Sequence, residues 1–198
     1  MARQKPKEVV APCPQTYQEQ VESKMEYSDI RRLIPSGNYA VHVPWAHLQE
    51  SLKDYIDGHK ADLNPDFQRG HVWTPTQQKA YVEYKLSGGE GSDRILWNCP
   101  GWMYDFRGPL ELVDGKQRMR AVLLFLNNRL PAFGHYCKEY VGRMPHYACF
   151  VFSINNLPTR KMVLEWYLQL NGGGTPHTKE ELNRVKALLN LEVKNEQG

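Results

Sequence analysis

The sequence predicts an α+β fold, with a mixed sheet and surrounding helices in a single domain. The length of 198 residues suits one domain with appendages. The apolar content of 41% is enough for a sizeable core. Short strand-like apolar runs are interleaved with segments whose apolar residues recur at helical spacing, and no internal repeat is present.

The ends of the chain differ in composition from its middle. Residues 1–38 are predicted to form an N-terminal arm and lead-in, since residues 1–20 are rich in Pro, Gln and charge. Residues 39–192 carry the periodic pattern of the folded domain, and residues 193–198 are expected to be a polar tail. No apolar run of about 18 residues and no secretory leader is present, so we expect no membrane span and a cytoplasmic location.

The first half of the domain is predicted to contain a strand, a helix, a polar loop and a second helix. Residues 39–43 alternate and include two β-branched valines, which is typical of a strand. Residues 44–58 follow with Pro at the first helical position and an amphipathic pattern. Residues 63–73 mix polar and large apolar side chains with Pro and Gly, which indicates a loop. The helix at 74–86 begins with a Thr N-cap before Pro.

The second half alternates strands with helices. The predicted strands lie at 94–98, 110–113 and 148–152, and the predicted helices at 116–128, 157–170 and 178–192. The strand at 148–152 is apolar enough to be central in the sheet. The last helix is expected to start with Thr178 as its cap and Glu181 at the capping-box position.

The turn after the strand at 110–113 is the strongest candidate for a site. Backbone N–H groups point outward at a helix start and bind anions. Gly115 can take a positive φ without steric cost, and Asp114 can cap the helix. Arg118 is a planar fork suited to phosphate, and Gln117 can both donate and accept hydrogen bonds. An ordinary capped helix with solvated charges is the alternative.

A second polar loop contains Asp66 and Arg69. Arg69 together with Arg118 would neutralise the charge that develops in phosphoryl transfer. Asp66 and Asp114 could hold Mg²⁺, which binds carboxylates together with phosphate oxygens. A helix cap or an arginine partner is the commoner role for such aspartates.

The third polar loop runs from Asn171 to Thr175 and contains three glycines. Asn171 and Thr175 offer side chains that can hydrogen-bond phosphate or ribose. A triple glycine after a helix is more often a C-cap and hinge than a phosphate cradle. No Gly-Lys-Ser/Thr follows, so the loop is not a Walker A sequence.

Other patterns limit the functions to be considered. The net charge of +3 is only mildly basic and does not establish nucleic-acid binding. The four cysteines lack metal-type spacing, so zinc is not expected. No Ser-His-Asp or Cys-His arrangement can be argued from the spacing. Trp73, Trp97 and Trp102 are expected to be core residues or walls of a site, with stacking against a base as the alternative.

Three segments occur together in an order that is similar to one known family. They are NPDFQRGHVW at 64–73, VDGKQR at 113–118 and LNGGGTP at 170–176. They resemble the P-x-F-Q-R-x-x-V-W loop, the DGQQR signature and the L-N-x-G-G-T-P segment of the DGQQR-motif branch of the ParB/sulfiredoxin superfamily. In the signature, Lys116 replaces the first Gln. This domain is found at the N-terminus of GmrSD-type modification-dependent restriction enzymes, and the matches span about residues 39–190.

The resemblance implies a compact ParB/sulfiredoxin-like mixed sheet with helices and a nucleotide site built from the loops. Members bind or hydrolyse nucleoside triphosphates, and relatives act as nucleases, protein or amino-acid kinases, or DNA-bound NTPases. The residues expected to bind the nucleotide are Gln68, Arg69, Gly115, Lys116, Gln117, Asn171 and Thr175. The residues expected to be catalytic are Asp114, Arg118 and Asp66, of which the two aspartates are also the expected Mg²⁺ ligands.

The leading hypothesis is an NTP-dependent phosphoryl-transfer enzyme that uses ATP or another NTP with Mg²⁺ and acts on or with DNA. A hydroxyl acceptor on a modified DNA base would make it a DNA kinase, whereas water would make it a DNA-linked NTPase. The alternatives are a ParB-like nuclease and a nucleotide-gated DNA- or protein-binding module without catalysis. The size, without the long nuclease domain of many members, resembles that of a phage-encoded or accessory protein, for which the host cytoplasm is expected.

Overall fold

The computed structural model describes residues 27, 30, 32–35, 37, 39–171 and 179–197. The chain divides into two compact units, Met1–Leu33 and Ile34–Gly198. The predicted arm therefore lies mostly outside the described residues, and the four described residues of the first unit are exposed. The described part of the second unit is an α+β structure with a four-stranded mixed sheet and five α-helices.

The sheet consists of β1 (Tyr39–Pro44), β2 (Arg94–Asn98), β3 (Glu111–Asp114) and β4 (Cys149–Asn155). Its strand order is β1-β4-β2-β3. β4 is antiparallel to β1 and parallel to β2, and β2 is antiparallel to β3. The prediction that β4 is central is confirmed, and its Phe150, Phe152 and Ile154 are completely buried.

The helices are α1 (Leu48–His59), α2 (Pro75–Leu86), α3 (Lys116–Leu126), α4 (Arg160–Asn171) and α5 (Lys179–Gln197). Several predicted boundaries differ from those of the structure, among them the start of α1 and the end of α5. Pro44 ends β1 and precedes a short 3₁₀ helix at Trp45–His47 instead of opening α1. α5 continues to Gln197 through most of the predicted tail, because no Gly or Pro interrupts it before Gly198. Thr178, its predicted cap, lies outside the described residues.

The sheet divides the core of the second unit into two clusters. Successive side chains of a strand point to opposite faces. On β2, Ile95 and Trp97 belong to the cluster that α1, α2 and α3 cover, whereas Leu96 belongs to the cluster under α4 and α5. On β3, Leu112 and Val113 are divided in the same way. Among the described residues, none of the helices is both long and apolar enough to span a membrane.

Candidate functional site

A cleft of about 430 Å³ lies where β3 ends and α3 begins. This volume falls within the range of small-molecule sites. The predicted site residues that line it are Gln68, Arg69, Asp114, Gly115, Lys116, Gln117, Arg118 and Asn171. The fold therefore brings together the described parts of three polar segments that are far apart in the sequence.

The turn between β3 and α3 depends on Gly115, which has a φ of +102°. A Cβ atom at this position would lie 2.5 Å from Ile95 Cδ1 and 3.2 Å from Ile95 Cα, so a larger residue would also force β2 to shift. Gly115, not Asp114, is the N-cap residue, and no side chain caps α3. The prediction that Asp114 caps the helix was wrong, because this residue is the last of β3 and its carboxylate pairs with an arginine.

That arginine is Arg118, whose Nη2 donates a hydrogen bond to Asp114 Oδ2. The side chain of Arg118 is 17% exposed and that of Asp114 is 47% exposed, so the carboxylate remains accessible to solvent in the cleft. Tyr81 lines the same cleft and donates from its hydroxyl to Ser92 O at 2.7 Å. Burial raises the pKa of Tyr81, and the nearby Arg118 charge opposes this rise.

Two further cations line the cleft. Lys116 Nζ donates to Arg69 O at 3.1 Å, and Arg69 Nη1 lies 4.0 Å from Glu181 Oε2. Burial lowers the pKa of Lys116, although the charge of Asp62 acts in the opposite direction. With Arg118, three cations face a single carboxylate among the described lining residues. This balance favours an anionic ligand.

Gln117 holds the loop before α2 and does not extend into solvent. Gln117 lies in the first turn of α3 and is only 8% exposed. Its Nε2 donates to Gly70 O at 2.9 Å, and its Oε1 accepts from the backbone N–H groups of Val72 and Trp73 at 3.3 and 3.4 Å. Gln117 therefore supports the site by fixing the loop that forms one wall.

Gln68 has a similar role on the other side of the turn. Its Nε2 donates to the carbonyl oxygens of Leu112 and Val113 at 3.0 and 2.6 Å. Its own carbonyl accepts from Arg184 Nη2 of α5 at 2.9 Å. The loop that carries Arg69 is thus attached to both β3 and α5.

The remaining predicted site residues have different positions. Asn171 lines the cleft, and its Nδ2 donates to Tyr167 O at 2.7 Å within α4. Thr175 lies in the segment 172–178, outside the described residues. Asp66 does not line the cleft, because its carboxylate pairs with Arg160, which also bonds Glu111 Oε1 at 3.2 Å.

The described residues contain no group of three or more His, Cys, Asp and Glu side chains that could hold a metal ion. In nucleotide sites, however, Mg²⁺ is usually held by one or two carboxylates together with phosphate oxygens and water. Asp114 fits this arrangement, since its carboxylate is accessible in a cleft lined by cations. Asp66 fits it less well, since it lies outside this cleft, although both aspartates pair with an arginine.

Sequence reasoning did not assign several lining residues to the site. Tyr81, Tyr167 and Leu170 lie within the predicted helices at 74–86 and 157–170, and Ser92 lies between the predicted elements. The one signal in the sequence that could have indicated a polar surrounding was the phenol group of the two tyrosines, because a buried tyrosine hydroxyl usually has a hydrogen-bond partner. Of the three predicted wall or core tryptophans, Trp97 is completely buried, and Trp73 lines the cleft.

No family model matches this chain, and no curated protein or solved structure matches it either. The resemblance to the DGQQR-motif branch therefore depends on the three sequence segments themselves. The assignment to that branch stays a prediction.

Proposed function

We propose that this protein is an NTP-dependent phosphoryl-transfer enzyme whose nucleotide binds in the cleft at the start of α3. The observation that carries this proposal is the convergence of Arg69, Lys116 and Arg118 beside a helix N-terminus that no side chain caps. The first N–H groups of a helix and the positive end of its dipole stabilise bound anions. A triphosphate matches such a set of donors in charge.

The chemistry follows from where charge develops. In phosphoryl transfer the bond from the γ-phosphorus to the β-phosphate oxygen breaks, a bond to the acceptor oxygen forms, and the acceptor proton leaves. Negative charge is spread over the oxygens of the transferring group. Arg118 offers two parallel N–H donors to such oxygens, whereas Lys116 offers a compact charge. Asp114 is the carboxylate of the cleft that can orient the attacking oxygen or accept its proton.

Asp114 would also be the protein ligand of Mg²⁺. When bound, the ion supplies neutralisation of the phosphate charge. Arg118 bonds Oδ2 of Asp114, so an ion that binds this oxygen would release the guanidinium. That release would free the donors of Arg118 for the triphosphate.

The proposed acceptor is a hydroxyl group on a modified DNA base, with water as the variant that gives an NTPase. The support for DNA is the resemblance of the three segments to a domain of modification-dependent restriction enzymes. The support for phosphoryl transfer over binding alone is the presence of a carboxylate among the three cations of the cleft.

The test follows the labelled phosphate. The protein is incubated with Mg²⁺ and ATP labelled at the γ-phosphate, with plain DNA or with DNA that contains hydroxymethylated bases. Label on the modified DNA indicates a kinase and free labelled phosphate an NTPase, and both support the proposal. Cleavage of DNA without ATP indicates the nuclease alternative. Saturable ATP binding without any transfer or release indicates a binding module, and the last two outcomes contradict the proposal.

A further inference from the structure

The cleft has an aromatic part beside its cationic part. Trp73 and Tyr81 both line it, with ring centroids 5.5 Å apart and planes tilted by 56°. Trp73 is only half-buried, whereas Trp45, Trp97 and Trp166 are completely buried in the core. Trp73 therefore differs from the core tryptophans in presenting part of its surface to a cavity that also contains charged donors.

The position of Trp73 is fixed by its surroundings. Its backbone N–H donates to Gln117 Oε1 at 3.4 Å, and its carbonyl accepts from Gln78 Nε2 at 3.4 Å. Tyr81, against which the indole packs, is itself held by the hydrogen bond of its hydroxyl to Ser92 O. A wall that is already rigid loses little conformational entropy when a ligand binds to it.

The aromatic and cationic parts are also connected to each other. Gln117 lies between Lys116 and Arg118 in the chain, and its side chain bonds Gly70 and Trp73 at the two ends of the loop segment that follows Arg69. The spacing between the indole and the three cations is therefore set by one hydrogen-bonded unit. A ligand that uses both parts must carry an anionic group and a flat ring.

We propose that Trp73 is the stacking wall for the base of the bound nucleotide, while Arg69, Lys116 and Arg118 hold its phosphates. The inference rests on the proposed function and deepens it, because it identifies the ligand as a base-bearing nucleotide and not as a bare polyphosphate. The π-face of an indole stacks on any base, so this wall adds affinity without selecting one base strongly. A polyphosphate without a base leaves the indole in contact with water.

The test compares two ligands on matched variants by equilibrium binding. The ligands are ATP and inorganic tripolyphosphate, and the variants are Trp73→Ala, Trp73→Phe and Trp102→Ala. Trp102 is a half-buried tryptophan of a separate aromatic cluster with Tyr39 and Tyr55, so it controls for the loss of an indole elsewhere.

The Trp73→Ala variant should bind ATP about tenfold more weakly than the wild type, because it loses one base–aromatic stack. The same variant should bind tripolyphosphate as the wild type does. Trp73→Phe should retain most of the ATP affinity, and Trp102→Ala should change neither ligand. If Trp73→Ala fails to fold, Trp73→Leu keeps much of the apolar volume without a π-face and should show the same selective loss.

The inference is overturned if the Trp73 variants weaken both ligands equally, since the indole would then only support the cleft. It is also overturned if they weaken neither ligand, or if they weaken only the binding of DNA. Failure of this inference can be distinguished from failure of the proposed function. Wild-type protein that binds neither ATP nor tripolyphosphate contradicts both, whereas phosphate transfer with unchanged ATP affinity in Trp73→Ala contradicts the stacking wall alone.

Discussion

Gly115 is the residue on which the geometry of the turn between β3 and α3 depends most directly. Its φ of +102° and the 2.5 Å that would separate an added Cβ from Ile95 Cδ1 both disfavour a larger residue. We expect Gly115→Ala to lower the free energy of unfolding by about 2–4 kcal/mol, as the sum of backbone strain and overpacking. Urea unfolding measures this loss.

Gly134 is the matched control, since it has a φ of +82° but nothing within 4 Å of an added Cβ. Gly134→Ala should cost only the backbone strain, about 1–2 kcal/mol. Equal losses at the two positions would show that contact with Ile95 contributes nothing.

The lowered pKa of Lys116 leads us to expect that the affinity of the protein for ATP depends on pH. Burial lowers the pKa of its amine below the ordinary value of 10.5. As the pH rises through this lowered pKa, Lys116 loses the charge that attracts phosphate, so ATP affinity should fall, whereas at lower pH the affinity should be flat. Titration calorimetry at several pH values measures this change. Lys116→Arg keeps its charge at high pH, and persistence of the same decline in that variant would refute the assignment.

At the scale of elements, Gln117 connects α3 to the loop before α2. Gln117→Met keeps the shape of the side chain but removes its hydrogen bonds to Gly70, Val72 and Trp73. The unfolding free energy should fall by about 1 kcal/mol, since partly buried backbone groups of the loop lose their hydrogen-bond partner. ATP affinity should fall as well, because the loop carries Arg69.

Urea unfolding and ATP titration on the same samples test this prediction. Gln77→Met is the control, because Gln77 is exposed and its Oε1 accepts from Thr74 N at the start of α2. It should lose part of a helix cap without a change in ATP affinity. A Gln117→Met protein with wild-type stability and affinity would show that the loop does not need this contact.

At the scale of the whole molecule, Arg160 connects three parts of the second unit. Its guanidinium pairs with Asp66 of the loop and Glu111 of β3, and it lies 4.0 Å from Glu192 of α5. Arg160→Met should lower the unfolding free energy by about 1–3 kcal/mol, less than for a fully buried pair because Arg160 is 32% exposed.

The pH dependence of this loss has a definite sign. Burial raises the pKa of Glu111 above its ordinary 4.5, and Arg160 opposes the rise. Without Arg160 the pKa of Glu111 in the folded protein is raised further. The Arg160→Met protein should therefore lose more stability than the wild type as the pH rises through this pKa, and the cost of the substitution should be smaller in acid. Lys53→Met, at an exposed pair with Asp57, should cause no measurable change at any pH. A pH-independent loss at Arg160 would contradict this explanation.

The parts of the site that the sequence predicted are those with local causes. Thr74 is the N-cap of α2 as predicted, and Gln77, three residues away, completes a capping box that was not predicted. Gly115 adopts the predicted positive φ because this preference is intrinsic to glycine. The pairing of Asp114 with Arg118 could not be predicted from the residues near the cap, because Arg118 comes within reach of Asp114 only when α3 forms.

The parts that the sequence could not predict depend on distant contacts. Gln68 bonds Val113, which is 45 residues away, and Gln117 bonds Gly70, which is 47 residues away. The resemblance implied that both glutamines bind the nucleotide, whereas in the fold their side-chain amides bond backbone groups. Tertiary packing therefore determines which side chains of these loops face the cleft.

Arg118 is the residue that we propose acts on the transferring phosphate. The most direct measurement is the rate of γ-phosphate transfer or release from ATP by wild type, Arg118→Ala and Arg143→Ala, where Arg143 is an exposed arginine outside the cleft. Arg118→Ala should lower the rate about 100- to 1,000-fold, as expected for the loss of one donor to the transition state, and Arg143→Ala should leave it unchanged. An Arg118→Ala protein that transfers phosphate at the wild-type rate would contradict the account.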